Sequence, residues 1–334
     1  MRNSVLVTGG AGYIGCHTCK ALSRRGYLPV TYDNLSRGHK TAVKWGPLEL
    51  GDVADRARLS EVLEKYKPIA VIHFAAFAYV GESVGEPLLY FENNVAQSIA
   101  MLDVLRRHGV NRFVFSSTCA VYGVPPRLPI TEDTELAPIN PYGASKLMVE
   151  RILRDCSAAF GLESVSLRYF NAAGADGEGE IGEEHAPETH LIPLAMQAAV
   201  NPNAPLQVFG TDYDTRDGSA VRDYVHVEDL AAAHIGALDY LLNGGKTTAL
   251  NVGTGKGASV LEVIRAVEKA SGRKVRWNAA PPRPGDPAEL VANPSRLKAV
   301  LGLDPGKFAP LDQIIADAWR WHLSHHNRGG AHGH

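Results

Sequence analysis

One stretch limits what this chain can fold into more than any other: Val5-Leu6-Val7-Thr8-Gly9-Gly10-Ala11-Gly12-Tyr13-Ile14-Gly15. An apolar run of strand length leads straight into Gly9, Gly12 and Gly15, and these open a segment of helical length. Glycine permits the tight turn. It also lets backbone N–H groups approach a pyrophosphate, which the positive end of the following helix then holds. A glycine triplet alone is a weak signal; its place between a buried strand and a helix marks it as a dinucleotide-binding loop. Further short apolar runs lie at Leu28 to Tyr32, Ala70 to Phe74, Arg112 to Ser116 and Ser164 to Tyr169, each separated by a helix-length segment. This alternation predicts an α/β fold built on a doubly wound parallel sheet.

The alternation breaks at Asn171. From there to about Ala220 the chain is rich in Gly, Pro and acidic residues, with one apolar helix near Ile192 to Val200. Val221 to Leu242 and Leu250 to Val252 then look like helix and strand of the first kind. The expected division is a Rossmann dinucleotide-binding domain over 1–172, with 221–253 returning to it. A second, smaller α/β lobe takes 173–220 and 254–325, and a flexible histidine-rich tail takes 326–334.

Composition removes several function classes. At 334 residues, 45% apolar and 21% charged, the chain has a sizeable core, and its formal charge of −2 offers no field for nucleic acid. The longest apolar stretch, Ile69 to Val80, is too short to span a bilayer and contains His73, so no membrane partner is expected and the protein reads as cytoplasmic. Four cysteines, Cys16, Cys19, Cys119 and Cys156, do not make a disulfide scaffold. Cys16 and Cys19 have the spacing of a metal half-site, yet no second pair completes it, so they read as core residues and no metal is expected.

The second strand ends at Asp33, where a carboxylate accepts hydrogen bonds from ribose hydroxyls and repels a 2′-phosphate. NAD is therefore favoured over NADP, although Arg37 nearby could accommodate such a phosphate. Asp52, after Leu48 to Leu50, is placed to meet the adenine ring or to be a surface turn.

Chemistry is carried by Asn140-Pro141-Tyr142-Gly143-Ala144-Ser145-Lys146, which opens a helix: Asn140 caps it and Pro141 sits where a missing N–H costs nothing. Tyr142 and Lys146 then share a face. Thr118 ends a run of hydroxyls after the strand at Arg112 to Ser116, at the sheet edge where ligands of such folds bind. Free tyrosine titrates near about 10, so it is a poor base at neutral pH unless nearby positive charge stabilises its anion. A base, a cation and a hydroxyl around one point can take a proton from a sugar hydroxyl while hydride leaves the same carbon.

With these motifs together, the chain resembles the extended short-chain dehydrogenase/reductase family and, within it, the UDP-glucose 4-epimerase branch. The similarity runs from about Ser4 to Trp321. Besides the motifs above it includes Asp33-Asn34-Leu35-Ser36, His73-Phe74-Ala75-Ala76, Val80-Gly81-Glu82-Ser83, Ser116 to Gly123, Leu167 to Asn171 and Val221 to His226. The resemblance implies tightly held NAD, Tyr142 as base, Lys146 as its partner and Thr118 aligning the sugar hydroxyl. It implies cofactor contacts from Gly9, Gly12, Tyr13, Ile14, Gly15, Asp33, Asn34, Ser36, Arg37, Gly38, Asp52, Val53, Phe74, Ala75, Ala76, Asn93 and Phe170, as well as Tyr142 and Lys146. For a UDP-sugar it implies Thr118, Tyr142, Asn171, His190, Leu191, Gln207, Val208, Phe209, Arg222, Arg283 and Asp286.

Some positions depart from the pattern or tune it. Ala78 stands where some relatives carry a lysine against the cofactor. Leu290 occupies the position whose bulk gates acetylated sugars, and His190 replaces a more familiar asparagine, so UDP-pentoses and UDP-N-acetylhexosamines remain alternative substrates. Dehydratases of this scaffold place an Asp-Glu pair after the threonine; Cys119 and Ala120 cannot act as acid and base there, which leaves a 4-keto sugar only the return of hydride. Arginine forks suit a pyrophosphate, so Arg222 and Arg283 are candidates for it, with ion pairs to Asp223 or Asp286 as the plainer reading. His73 and His226 read as structural. Relatives commonly pair as homodimers through helices equivalent to Asn94 to His108 and Tyr142 to Cys156.

Overall fold

The computed structural model describes residues 2–283 and 286–329, the last five of these by their backbone alone. The expected dinucleotide-binding layer is formed by β1 (Ser4–Thr8), β2 (Leu28–Asp33), β3 (Leu48–Leu50), β4 (Ala70–His73), β5 (Arg112–Thr118) and β6 (Glu163–Tyr169). With β10 (Thr248–Val252) they make a seven-stranded parallel sheet in the order β10-β6-β5-β4-β1-β2-β3. The order reverses between β1 and β4, which opens a crevice beyond the carboxyl ends of those two strands.

Both faces of this sheet are covered, which is why its strands read as unbroken apolar runs. Alternate residues of β1 face opposite ways: Val5 and Val7 join one core with Leu22, Leu230 and Leu238, while Leu6 joins another with Leu59, Met101 and Val149. The first core lies under α1 (Tyr13–Arg24) and α8 (Val227–Leu242), which pack on each other. The second lies under α2 (Arg56–Tyr66), α5 (Gln97–Arg107) and α6 (Pro141–Phe160). Between β4 and α5 run α3 (Val80–Gly85), α4 (Pro87–Phe91) and a π-helical turn at Glu92–Ala96.

A smaller body carries β7 (Asn171–Ala173), β9 (Val221–His226), β11 (Gly257–Ser259) and β13 (Glu289–Leu290), with β9 at its centre. β8 (Leu206–Phe209) pairs with β12 (Trp277–Ala280) beside it. Its core joins α7 (Leu191–Val200), α9 (Val260–Ser271) and α11 (Leu311–Gly329) through Ile192, Met196, Val263, Val267 and Ile315. α10 (Ser295–Leu301) returns to pack against α8 and β10.

Two expectations change. α8 and β10 do join the large sheet, but Val221–His226 pairs within the small one. This strand is buried along almost its whole length, and burial alone does not tell which sheet takes it. The helix α11 also runs on to Gly329, through the start of the segment expected to be a flexible tail; 330–334 lie outside the described residues. Ile314, Ile315, Ala318 and Trp319 bury its inner face and give it a docked body to extend from. Among the described residues no helix is long and apolar enough to cross a membrane.

Candidate active site

The glycine loop folds as a close-packed cradle. Gly9 has φ of +71°, and a Cβ there would stand 2.5 Å from the backbone nitrogen of Ala75. A Cβ on Gly15 would stand 2.3 Å from the Gly9 carbonyl oxygen. Any side chain at either point separates β1 from β4 or α1 from the turn, so both positions exclude one. Gly12 is the N-cap of α1, leaving the first-turn N–H groups to the crevice. Tyr13 begins that helix and donates its hydroxyl to the Gly174 carbonyl at 2.7 Å, while Ile14 packs on the core below.

Asp33 lies at the end of β2, 8% exposed, and accepts from Ala11 N at 3.0 Å and Leu35 N at 2.8 Å. Burial raises its pKa against the pull of these two N–H groups. The carboxylate thus fixes the glycine loop to the end of β2. Asn34 donates to Asp52 at 2.8 Å and its carbonyl receives Ser36 N; Val53 is buried behind Asp52 and Gly38 rests on the Ala11 backbone. Arg37 does not stand ready for a phosphate. Its guanidinium is paired with Glu82 at 2.9 Å and lies over the rings of Phe77 and Tyr79, so a feature that left NADP open is already neutralised.

Beyond β4, Phe74, Ala75 and Ala76 are half-buried, with Phe74 against His234 at 4.6 Å between ring centroids. Asn93 is half-buried; the neighbouring Asn94 is 2% exposed and does the anchoring. Asn94 bridges Phe77 N, Phe77 O and Ser145 Oγ, tying this rim to α6. Asn94 lies within the π-helical turn, a local geometry that no simple periodicity in the sequence signals.

α6 and β5 bring Tyr142, Lys146 and the Ser116 to Thr118 strand end together. Asn140 Oδ1 accepts from Gly143 N at 2.8 Å and caps α6, and Pro141 occupies its first turn. One turn on, buried Lys146 donates to the Ser116 carbonyl at 2.8 Å and lies 6.0 Å from the Tyr142 ring centroid. Thr118, at the end of β5, accepts from Ala120 N, and its side chain lies near enough to the Tyr142 phenol to pull the pKa of that phenol down. Burial pushes the Tyr142 phenol up to about 12, against the pull of Thr118 and with a further push from Cys119. Burial alone lowers Lys146 to about 7. His73 is held by Thr8 at 2.6 Å and Ser98 at 3.3 Å, and burial, with a further push from Lys146, lowers it to about 3. A further turn along α6 brings Glu150, which pairs with buried Arg168 at 2.6 Å; Arg168 in turn holds Tyr122.

On the smaller body the remaining candidates divide into groups. Arg222 pairs with Asp286 at 2.5 Å, and its charge reaches the Cys119 thiol next to Thr118. Asp223 is instead a buried hub that accepts from Thr254, Gly255 and Ala292. Arg283 lies over Phe209 at 4.2 Å. The Tyr213 hydroxyl, which the sequence did not single out, feels Asp286, Arg222 and Arg283 together. In β8 Gln207 is exposed and Val208 buried, so Val208 can offer a ligand only its backbone. Phe170 is buried beside Cys119, with Leu290 packed on the same cluster, and Asn171 opens β7 immediately after it. His190 precedes Leu191, the first residue of α7, and is hydrogen-bonded to Glu183. The four cysteines are free and Cys16 and Cys19 are buried in the core.

The chain matches the model of the NAD dependent epimerase/dehydratase family over residues 5–253. It is 54% identical to the UDP-glucose 4-epimerase of Rhizobium meliloti over 328 residues, covering 98% of this chain and 99% of that one. Its fold superposes on the UDP-glucose 4-epimerase of Brucella ovis in complex with NAD with a TM-score of 0.93, at 50% identity and 96% and 98% coverage. The Bifidobacterium longum enzyme, solved with NAD+ and UDP, gives a TM-score of 0.91 at 39% identity, covering 97% of this chain and 99% of that one. A glycine cradle, an acidic end to β2 and a Tyr–Lys pair facing Thr118 are thus set on a shared backbone, and the chain belongs to the NAD dependent epimerase/dehydratase family.

Proposed function

We propose that this protein interconverts UDP-glucose and UDP-galactose, as an NAD-dependent 4-epimerase. The observation that carries the reading is the meeting of Tyr142, Lys146 and Thr118 at the carboxyl edge of the sheet, with Cys119 and Ala120 following the threonine. NAD, cradled by the Gly9 to Gly15 turn and Asp33, supplies the oxidation and re-reduction of C4 together with the positive ring charge that a phenolate needs. Tyr142 takes the proton of the C4 hydroxyl, and Thr118 keeps that hydroxyl aligned. Lys146 shares its charge with the developing phenolate. Since neither Cys119 nor Ala120 can shuttle protons at C5 and C6, the 4-keto sugar is returned to the alcohol, from either face once the sugar has turned.

The nucleotide end is the fixed end. Arg222, Arg283, Asp286, Asn171, His190 to Leu191 and Gln207 to Phe209 bind it, in a lobe of 173–220 and 254–325. Leu290, at the position that gates acetylated sugars, sits beside the Cys119 and Phe170 cluster. The working form is a cytoplasmic homodimer paired through α5 and α6, whose Ile99 and Met148 are exposed. Incubation of purified protein with UDP-galactose and no added nucleotide should yield UDP-glucose. Tyr142→Phe should lower kcat by about 10²–10⁴-fold while keeping bound NAD; unaltered turnover in that variant would remove the base assignment.

A further inference from the structure

The segment between β7 and α7 carries a charged cluster that the reaction described above does not use. Glu183, His185, Glu188 and His190 bring one ligand-type atom each to within 4.8 Å of one another. Glu183 is the hub. Its side chain is only 7% exposed, its carboxylate hydrogen-bonds Nδ1 of His190, and it lies 3.2 Å from Nδ1 of His185. Glu188 faces His185 from the other side at 3.7 Å.

This hub is held from several elements. Trp321 Nε1 of α11 donates to the Glu183 carbonyl at 3.0 Å, and His39 meets the carbonyl of Glu184 at 3.2 Å. The His185 ring stands edge-on to Tyr13 of α1, to Tyr79 ahead of α3, and to His190 at 5.1 Å between centroids. Arg37 lies over the far side of Tyr79. The charged and titratable groups facing His190 are therefore Glu183, Glu188 and His185, with Tyr13 and Tyr79 as the neutral walls behind them.

His190 differs from its neighbours in being half-exposed, at 49%, with its Nδ1 taken and its ring at the threshold of α7. A cation just before a helix N-terminus works against the helix dipole, so it is out of place there unless anions on both sides balance it. Glu183 is one such anion. We propose that Glu183 is a positioning residue for the substrate: it grips Nδ1 of His190 and fixes the ring, so that the Nε2 edge is presented to a phosphate oxygen of the nucleotide sugar.

Titration agrees with this arrangement. Burial opposes charge on both imidazoles, but the carboxylates outweigh it, raising His190 and lifting His185 to about 9. Burial would raise Glu183, yet His190 and His185 hold it down near about 2. The two carboxylates thus favour the charged forms of both imidazoles, and His190 is the more exposed of the two rings.

The inference rests on His190 being part of the nucleotide-sugar site, and the test separates the two. UDP alone is the probe, with affinity measured by calorimetry from pH 6 to 9 on NAD-loaded wild type, Glu183→Gln, His190→Gln and the double variant; retained NAD reports the fold. An unpaired imidazole titrates near about 6.5. Glu183→Gln should therefore bind UDP about tenfold more weakly than wild type at pH 8 and nearly as well at pH 6, with its loss in turnover falling on KM. His190→Gln should be weak at every pH, and adding Glu183→Gln to it should change nothing more. A Glu183→Gln defect that is the same at all pH values, or that adds fully to His190→Gln, overturns the positioning role. So does loss of UDP binding on EDTA treatment with recovery on zinc, which would make the quartet a metal site. Wild type that binds no UDP overturns the substrate reading itself. Should Glu183→Gln not fold, wild type against His190→Gln decides, because only wild type should lose UDP affinity as the pH climbs above the usual imidazole range.

Discussion

Burial acts on Tyr142 and Lys146 in opposite senses, pushing the phenol up to about 12 and the amine down to about 7. Both shifts oppose the ion pair that proton abstraction needs, so the chain alone holds this pair close to neutrality. The positive charge of the bound dinucleotide changes that balance, which makes cofactor retention part of the base's activation. A stability consequence follows from Lys146. Between pH 7 and its usual value near about 10.4, the unfolded chain holds a proton at this amine that the folded chain does not. Stability of the cofactor-free protein should therefore rise with pH across that window, and Lys146→Met should flatten the rise; urea unfolding at pH 7, 8 and 9 measures it. A steeper rise in the Met variant would show that another group dominates.

The helix α6 carries more than the catalytic pair. Tyr142, Lys146 and Glu150 stand on one face at successive turns, and Glu150 closes a buried network through Arg168, Ser117, Tyr122 and Asn251. This network locks α6 against β5 and β6, so the Tyr–Lys pair is aimed by an ion pair two turns away. Removing one partner of such a pair leaves a buried charge uncompensated, at a cost of about 3–5 kcal/mol. Glu150→Ala should destabilise the fold by that order, whereas Asn140→Ala, which deletes only a cap, should cost about 1 kcal/mol. Denaturant midpoints for the two variants give the comparison, and equal losses would contradict the ranking. The face of α6 was legible in the sequence from its spacing of four. Arg168 was not identified as the partner of Glu150, because it lies on a strand whose distance from the helix only the sheet order fixes.

Across the whole molecule, the glycine-loop helix is tied to the smaller body by charge. Lys20 of α1, 4% exposed, donates to Asp176 at 2.8 Å, to Glu178 at 2.8 Å and to Glu180 at 2.6 Å, all on the loop that follows β7. The Asp176 carboxyl is itself buried; burial would raise it, but Lys20 holds it below its ordinary range. Lys20→Met should cost about 3 kcal/mol at neutral pH and loosen NAD retention. A carboxylate lowered in the folded state stabilises above its unfolded value and loses that effect as the pH falls, so the gap between variant and wild type should close below about pH 4. Melting curves from pH 7 down to about pH 2.5 test it, and a gap that persists to the acid end would point to lost packing instead of charge. Much of this protein is set by its sequence alone. Strand–glycine–helix order, the acidic end of β2 and the capped Tyr–Lys helix are local patterns, readable because backbone sterics and helical period act over a few residues. Tertiary structure decided the rest: which sheet takes Val221–His226, that Glu82 claims Arg37, that Asp286 and not Asp223 meets Arg222, and that Glu183 grips His190. Each is a contest among several chemically suitable partners, and only the packing of distant segments settles which of them lies within reach.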